Sequence, residues 1–257
     1  MQTVIRQWQL FKTALMFFTR IPINLPNFQE SDLNDSVQYF PLVGVLVGAI
    51  AALAFWLSQL LLPVSLAVLI SMGVSIYLTG AFHEDGLADA ADGLGGGWQK
   101  EQVLTIMQDS RIGSYGAVAL LMVLLTKFQA LTHIGAMLLP MVLIAAHALS
   151  RFAGVLVIYT QRYVRAEGKA KPLATHLSRK QLLVASIFGL LPLILFVAYL
   201  GQWQLLVSLL PVVAVWWWFS RLLKRRLGGY TGDCLGAMQQ ITELAFYIGV
   251  LVWMGLQ

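Results

Sequence analysis

Four carboxylates fall within ten residues in the run Glu84-Asp85-Gly86-Leu87-Ala88-Asp89-Ala90-Ala91-Asp92-Gly93. On a helix at 100° per residue, Asp85, Asp89 and Asp92 lie within an arc of roughly 60°, so three acids project from one side. Two bare carboxylates about 4 Å apart repel by on the order of 4 kcal/mol at an effective dielectric near 20, so such a stripe needs protons or cations to stay compact. Hard oxygen donors favour magnesium or manganese over zinc. The expected metal ligands are Asp85, Asp89 and Asp92, with Glu84 beside them as a candidate to take a proton.

The spacing excludes two common alternatives. An EF-hand supplies oxygen ligands at alternate positions, whereas these acids stand four and three apart. A nucleotide-binding glycine loop is absent too, because Lys100 has no preceding glycine at the Walker spacing and no strand is predicted before Gly93. Acids that merely cap a helix would account for one or two carboxylates but not for three on one stripe. The glycines Gly93–Gly97 let backbone approach a ligand closely, so Gly95 and Gly96 are candidate substrate contacts. Asp109-Ser110-Arg111 sets an acid beside a fork suited to phosphate, which makes Asp109 and Arg111 catalytic candidates.

Further polar groups lie in or near apolar segments. In Thr231-Gly232-Asp233-Cys234-Leu235-Gly236, Asp233 stands beside flexible glycines and is placed to complete a metal site. Asp233, Gly236, Gln240 and Glu243 share a helix face, and an acid inside a span is costly unless it faces a polar interior. Arg151 lies one turn beyond His147 and requires an anion, either Glu243 or a substrate phosphate. Lys127 falls near the middle of another apolar run, with no partner evident from spacing. Arg162 to Lys180 is strongly basic; headgroup binding accounts for most of it, with Lys169 and Lys171 as candidate diphosphate contacts. Trp216-Trp217-Trp218 reads as an interfacial belt.

These groups must be held by a membrane bundle. The 257 residues are 58% hydrophobic and only 11% charged, too apolar for a soluble domain of this length. Residues 41–82 and 182–220 contain no Asp, Glu, Lys or Arg, each enough for two spans joined at Pro63 and at Gly201-Gln202. A third hairpin covers about 114–159 with its turn near His133–Met137, and a last span covers about 236–256. The expected fold is therefore all-α, a polytopic bundle of about seven transmembrane helices forming one catalytic domain over residues 1–257. The turns near 63, 135 and 202 lack Lys and Arg, which places 1–40, 83–112, 160–181 and 221–235 in the cytoplasm and the carboxy-terminus outside. Segment 83–112 is then a cytoplasmic acidic active-site loop.

Ile5, Trp8, Phe11, Leu15 and Phe18 recur at helical spacing beside Arg6, Lys12 and Arg20, so the amino-terminal part of 1–40 reads as an interfacial amphipathic helix rather than a signal peptide. The net charge of +5 reflects the cytoplasmic loops, and no nucleic-acid module is visible. Cys234 is the only cysteine, which excludes an internal disulfide and disfavours a thiolate metal site.

The chain resembles the cobalamin synthases, the adenosylcobinamide-GDP ribazoletransferases. The resemblance is chain-wide and rests on Phe18-Thr19-Arg20-Ile21-Pro22, on Gly80-Ala81-Phe82-His83 continuing through Gly93, on Asp109-Ser110-Arg111-Ile112-Gly113 and on Thr231 through Ala237. It implies a magnesium-dependent multi-pass enzyme of the bacterial inner membrane with its site facing the cytoplasm. The implied reaction joins adenosylcobinamide-GDP to α-ribazole or its 5′-phosphate and releases GMP. Implied partners are these substrates and membrane lipids, with a homo-oligomer or an association with other B12 assembly enzymes besides. The acidic helix also distantly resembles the CDP-alcohol phosphotransferase signature, but Leu87-Ala88-Asp89 lacks the Arg that signature places after its first Asp-Gly.

On this reading a ribose hydroxyl attacks the cobinamide-proximal phosphorus while metal held by Asp85, Asp89, Asp92 and Asp233 and a charge on Arg111 neutralise the diphosphate. The rival from another class is an ion-coupled transporter cycling Glu243, Arg151 and Lys127, although the repeated halves and broken midplane helices of transporters are not evident. A purely structural membrane partner gives no reason for so many close carboxylates.

Overall fold

The computed structural model describes residues 2–25, 28–165 and 177–256. Lys169 and Lys171 lie outside these residues. Among the described residues the chain is helical with no strand, and one isolated backbone bridge joins Tyr163 to Tyr230. The α-helices are α1 (Gln2–Phe18), α2 (Glu30–Ser36), α3 (Phe40–Gln59), α4 (Val64–Thr79), α5 (Phe82–Gly96), α6 (Lys100–Ile106), α7 (Ser114–His133), α8 (Leu139–Thr160), α9 (Arg179–Leu200), α10 (Leu209–Leu227) and α11 (Gly232–Gly255).

Six of the described helical stretches are long and apolar enough to cross a membrane, or up to seven if α4 and α5 count as one bent span. The chain is a multi-pass membrane protein. The turns fall where charge is missing, at Pro63, between His133 and Leu139, and at Gly201. One expected span differs from the sequence reading. α4 has only 16 residues, about 24 Å of helix against an apolar layer of about 30 Å. Gly80 and Ala81 both take left-handed backbone, φ +65° and +58°, and the chain turns by 85° into α5. Most of the segment 83–112 is accordingly helical, in α5 and α6, with non-helical backbone at 97–99 and 107–112.

α8 is the centre of the bundle, with small residues such as Ala145, Ala146 and Ala148 fully buried. Gly44 and Gly48 let α3 lie directly on it, since a Cβ on Gly44 would stand 2.2 Å from the carbonyl oxygen of His147. The outer helices α7, α9 and α10 turn apolar side chains outward, among them Leu121, Ile194 and Leu210, as lipid-facing surfaces do. α1 buries Leu10, Ala14 and Phe18 and leaves Val4, Ile5 and Trp8 exposed, which gives it a second apolar face suited to an interface.

The charged segments meet at one end. Arg6 pairs with Asp32 at 2.6 Å, Gln181 donates to Asp35 at 3.0 Å, and Arg165 pairs with Asp233 at 2.7 Å. The Phe18–Pro22 motif belongs to this end as well. The Arg20 amide donates to the Leu78 carbonyl at 2.8 Å, and its guanidinium lies over Tyr77, so the motif clamps the end of α4 where the chain turns toward the acids.

Candidate active site

α5 crosses α11 at two glycines. A Cβ on Gly86 would lie 3.0 Å from the Asp233 carbonyl oxygen and 3.2 Å from the Gly236 Cα; one on Gly236 would lie 3.2 Å from the Gly86 Cα. Only glycine lets the two backbones pass this closely. Asp85 and Asp89 of α5 therefore face the first turn of α11, where Thr231 caps the helix by accepting from the Cys234 amide at 3.3 Å and Asp233 follows. Asp89 feels the crowding. Partial burial, then the charges of Asp85 and Asp233, push its carboxyl up to about 7.

Asp92, on the same stripe, is used differently. Its two oxygens accept the Gly113 amide at 2.7 Å and the Gly116 amide at 2.9 Å, anchoring the first turn of α7 with an anion at its positive end. A Cβ on Gly113 or Gly116 would strike the same carboxylate at 2.4 Å, which explains the glycines after Asp109-Ser110-Arg111. Asp109 and Arg111 pair with each other at 2.7 Å, with the arginine side chain 86% exposed. Arg111 holds the Asp109 carboxyl down at about 2 through hydrogen bonds and charge. Gly95 and Gly96 sit near the far end of α5, where Gly95 accommodates the Tyr115 ring and Gly96 approaches Ile106.

Sequence reading missed Arg165. Its amine end donates to Asp233 and, at 3.3 Å, to the Met107 carbonyl. It is delivered by the bridge in which the Tyr230 amide donates to the Arg162 carbonyl at 2.9 Å and the Val164 amide to the Tyr230 carbonyl at 3.0 Å. Gly229 makes that bridge possible, because a Cβ there would stand 2.0 Å from the Arg162 carbonyl oxygen. Gly229-Tyr230 directly before an Asp-led helix was the available signal, though it could not name the partner strand.

Glu84 points to the other side of α5. Its Oε1 accepts from Gln240 at 2.9 Å and its Oε2 is buried without a hydrogen-bond partner. Gln240 connects it to a buried cluster in which Lys127 donates to Glu243 at 2.7 Å and to the Gln240 side-chain oxygen at 2.7 Å. Tyr247 and Gln239 also donate to Glu243. Of the two anions weighed for Arg151, a substrate phosphate or Glu243, the latter is not its direct partner, because Lys127 takes that carboxylate. Arg151 instead donates to the His147 carbonyl at 3.0 Å and stands 3.2 Å from its ring, which in turn approaches Glu243 at 3.3 Å.

Asp85, Asp233, Arg151 and Arg165 line one cavity of about 220 Å³ whose other wall is aromatic. Among the described residues, no three His, Cys, Asp or Glu side chains are gathered into a ready-made metal site. The acids at the α5–α11 crossing nevertheless have the oxygen chemistry and the deficit of positive charge that a hard divalent cation would relieve.

Comparison with known proteins shows the family to which the chain belongs. A family model described as Cobalamin-5-phosphate synthase matches residues 10–251. The chain belongs to that family. A protein of Ralstonia pickettii named adenosylcobinamide-GDP ribazoletransferase is 46% identical over 99% of both chains. One of Shewanella frigidimarina with the same name is 44% identical over 96% of this chain and 95% of its own. No solved structure matches. The protein is thus a transferase of cobalamin biosynthesis, and the transporter reading of Glu243, Arg151 and Lys127 gives way to that of an enzyme.

Proposed function

We propose that this member of the cobalamin-5-phosphate synthase family transfers cobinamide phosphate from adenosylcobinamide-GDP to α-ribazole or α-ribazole 5′-phosphate and releases GMP. We further assign a magnesium ion to Asp85, Asp89 and Asp233. The observation that carries this reading is the glycine crossing of α5 and α11, beside which Asp85 and Asp233 line one cavity and the neighbouring Asp89 is pushed up to about 7 by burial and their charges. Asp92 is left out of the ligand set because the amides of Gly113 and Gly116 occupy it.

A bound divalent cation would neutralise the diphosphate and stabilise charge on the attacking and leaving oxygens. The protein's own residues do the rest. The hydroxyl oxygen of the acceptor ribose forms a bond to the cobinamide-proximal phosphorus as the bond from that phosphorus to the GMP oxygen breaks, and the hydroxyl proton passes to a carboxylate of the site. Arg165, now on Asp233, is positioned to turn its guanidinium to a phosphate oxygen. Arg111, largely exposed before α7 and paired with Asp109, has its guanidinium free of the bundle interior and within reach of solvent-borne phosphate.

The clustering of basic residues at the acid end supports a cytoplasmic orientation of that end in the bacterial inner membrane. The deciding experiment is GMP release from adenosylcobinamide-GDP and α-ribazole 5′-phosphate by purified protein. Magnesium-dependent release is expected; equal rates with and without EDTA would remove the cation from the account, and absence of GMP would remove the reaction.

A further inference from the structure

The cavity beside the acids has an aromatic wall and two incompletely used cations. Phe17, Phe18, Phe40 and Phe82 line it, with Phe18 edge-on to Phe40 at 4.4 Å and Phe17 edge-on to Phe82 at 5.2 Å. An apolar cavity of about 150 Å³ takes a benzene ring, so one of about 220 Å³ accommodates a larger planar group. Arg151 is 4% exposed, its Nε has no hydrogen-bond partner, and the neighbouring carboxylate of Glu243 is taken by Lys127. Arg165 likewise has a buried Nε without a partner. A guanidinium buried without a direct anion is costly, and a phosphate that accepts from it would recover charge-assisted hydrogen bonds.

We propose that this cavity binds a heteroaromatic nucleoside monophosphate, its base against the phenylalanines and its phosphate on Arg151 and Arg165. The inference rests on the proposed transfer reaction and deepens it. An inorganic anion would leave the aromatic wall unused, and an uncharged ring would leave Arg151 unpaired. Two substrates share the required chemistry: α-ribazole 5′-phosphate as acceptor and the guanylate half of the donor. With the base between α1 and α5, the sugar lies toward Asp85 and Asp233, which line the same space. The site thus makes Arg151 a residue that selects phosphorylated over unphosphorylated nucleosides.

The test is equilibrium binding to the full-length protein in detergent with EDTA, using α-ribazole 5′-phosphate, α-ribazole, GMP and inorganic phosphate as separate probes. One of the two nucleotides should bind at least tenfold more tightly than α-ribazole and than inorganic phosphate. Arg151→Gln should weaken that nucleotide by about 10- to 100-fold, the loss of a charge-assisted contact, and change α-ribazole binding less than threefold. Arg151→Lys should recover part of the loss, and Arg165→Gln supplies a second reading if Arg151→Gln does not fold. Preference for α-ribazole 5′-phosphate assigns the cavity to the acceptor, and preference for GMP assigns it to the donor; either supports the site. Failure of both nucleotides to bind more tightly than α-ribazole and inorganic phosphate, or a nucleotide preference that survives both Arg151→Gln and Arg165→Gln, overturns it. Wild-type protein that releases GMP but lacks the preference loses this inference alone, whereas protein that releases no GMP loses the reaction.

Discussion

A single methyl group at Gly86 probes the closest approach in the site. In Gly86→Ala the new Cβ would stand 3.0 Å from the Asp233 carbonyl oxygen and 3.2 Å from the Cα atoms of Asp233 and Gly236. Ordinary contacts need about 3.5–4.0 Å, so α5 and α11 must separate by roughly 0.5–0.8 Å. All three neighbours are backbone atoms, and no side chain can rotate aside. Overpacking of this kind costs about 1–3 kcal/mol, while alanine in place of a helical glycine returns about 0.5–1 kcal/mol. The net effect on stability is thus small, a loss of about 0–2.5 kcal/mol. Catalysis is more sensitive, since misplacing a reacting group by about 1 Å costs on the order of 100-fold. Saturating GMP-release rates for Gly86→Ala should fall by about 10- to 100-fold, with the melting temperature in detergent lowered by no more than about 10 °C. Gly73→Ala is the control, because a Cβ on Gly73 meets nothing within 4 Å. A wild-type rate in Gly86→Ala, or an equal loss in Gly73→Ala, would refute the assignment of the crossing.

Asp92→Ala removes the acceptor of two α7 amides and should lower stability by about 1–2 kcal/mol, with Asp92→Asn recovering part of it; thermal unfolding in detergent reads both. Lys127→Met strands the Glu243 carboxylate in the bundle and should cost about 3–5 kcal/mol, whereas the double variant Lys127→Met/Glu243→Gln should be more stable than that single one in the same assay. Asp89 sits near Asp85, Asp92, Asp233 and Arg165, and its folded pKa of about 7 exceeds the ordinary 3.8. The stability contributed by its extra proton is full below about 3.8 and lost as pH rises through about 7. Magnesium must displace that proton, so its affinity for the wild type, followed by calorimetry, should weaken by up to about tenfold per pH unit below 7; an affinity independent of pH between about 5 and 7 would refute the role of Asp89.

Much of the fold can be read from charge and hydropathy, because the tight turns lack charge and lipid tolerates few ionised groups between them. The spans from Ser114 to Thr160 and from Arg179 to Leu227 follow that pattern closely. α4 departs from it because hydropathy does not reveal where left-handed residues at Gly80 and Ala81 end a helix. Helical spacing correctly gathers Asp85, Asp89 and Asp92 on one side of α5, but it says nothing of what packs there. Gly113 and Gly116 reach Asp92 from α7, and Arg165 reaches Asp233 from beyond α8. Partners such as Lys127 and Glu243, separated by 116 positions, meet only through the packing of α7 against α11.

The most direct test of the central claim is stoichiometric binding of manganese, as a paramagnetic stand-in for magnesium, to the wild type and to the four aspartate variants. The account predicts that Asp85→Asn, Asp89→Asn and Asp233→Asn each lose the site while Asp92→Asn keeps it, all four remaining folded. A manganese site that survives in Asp85→Asn and Asp89→Asn would contradict it.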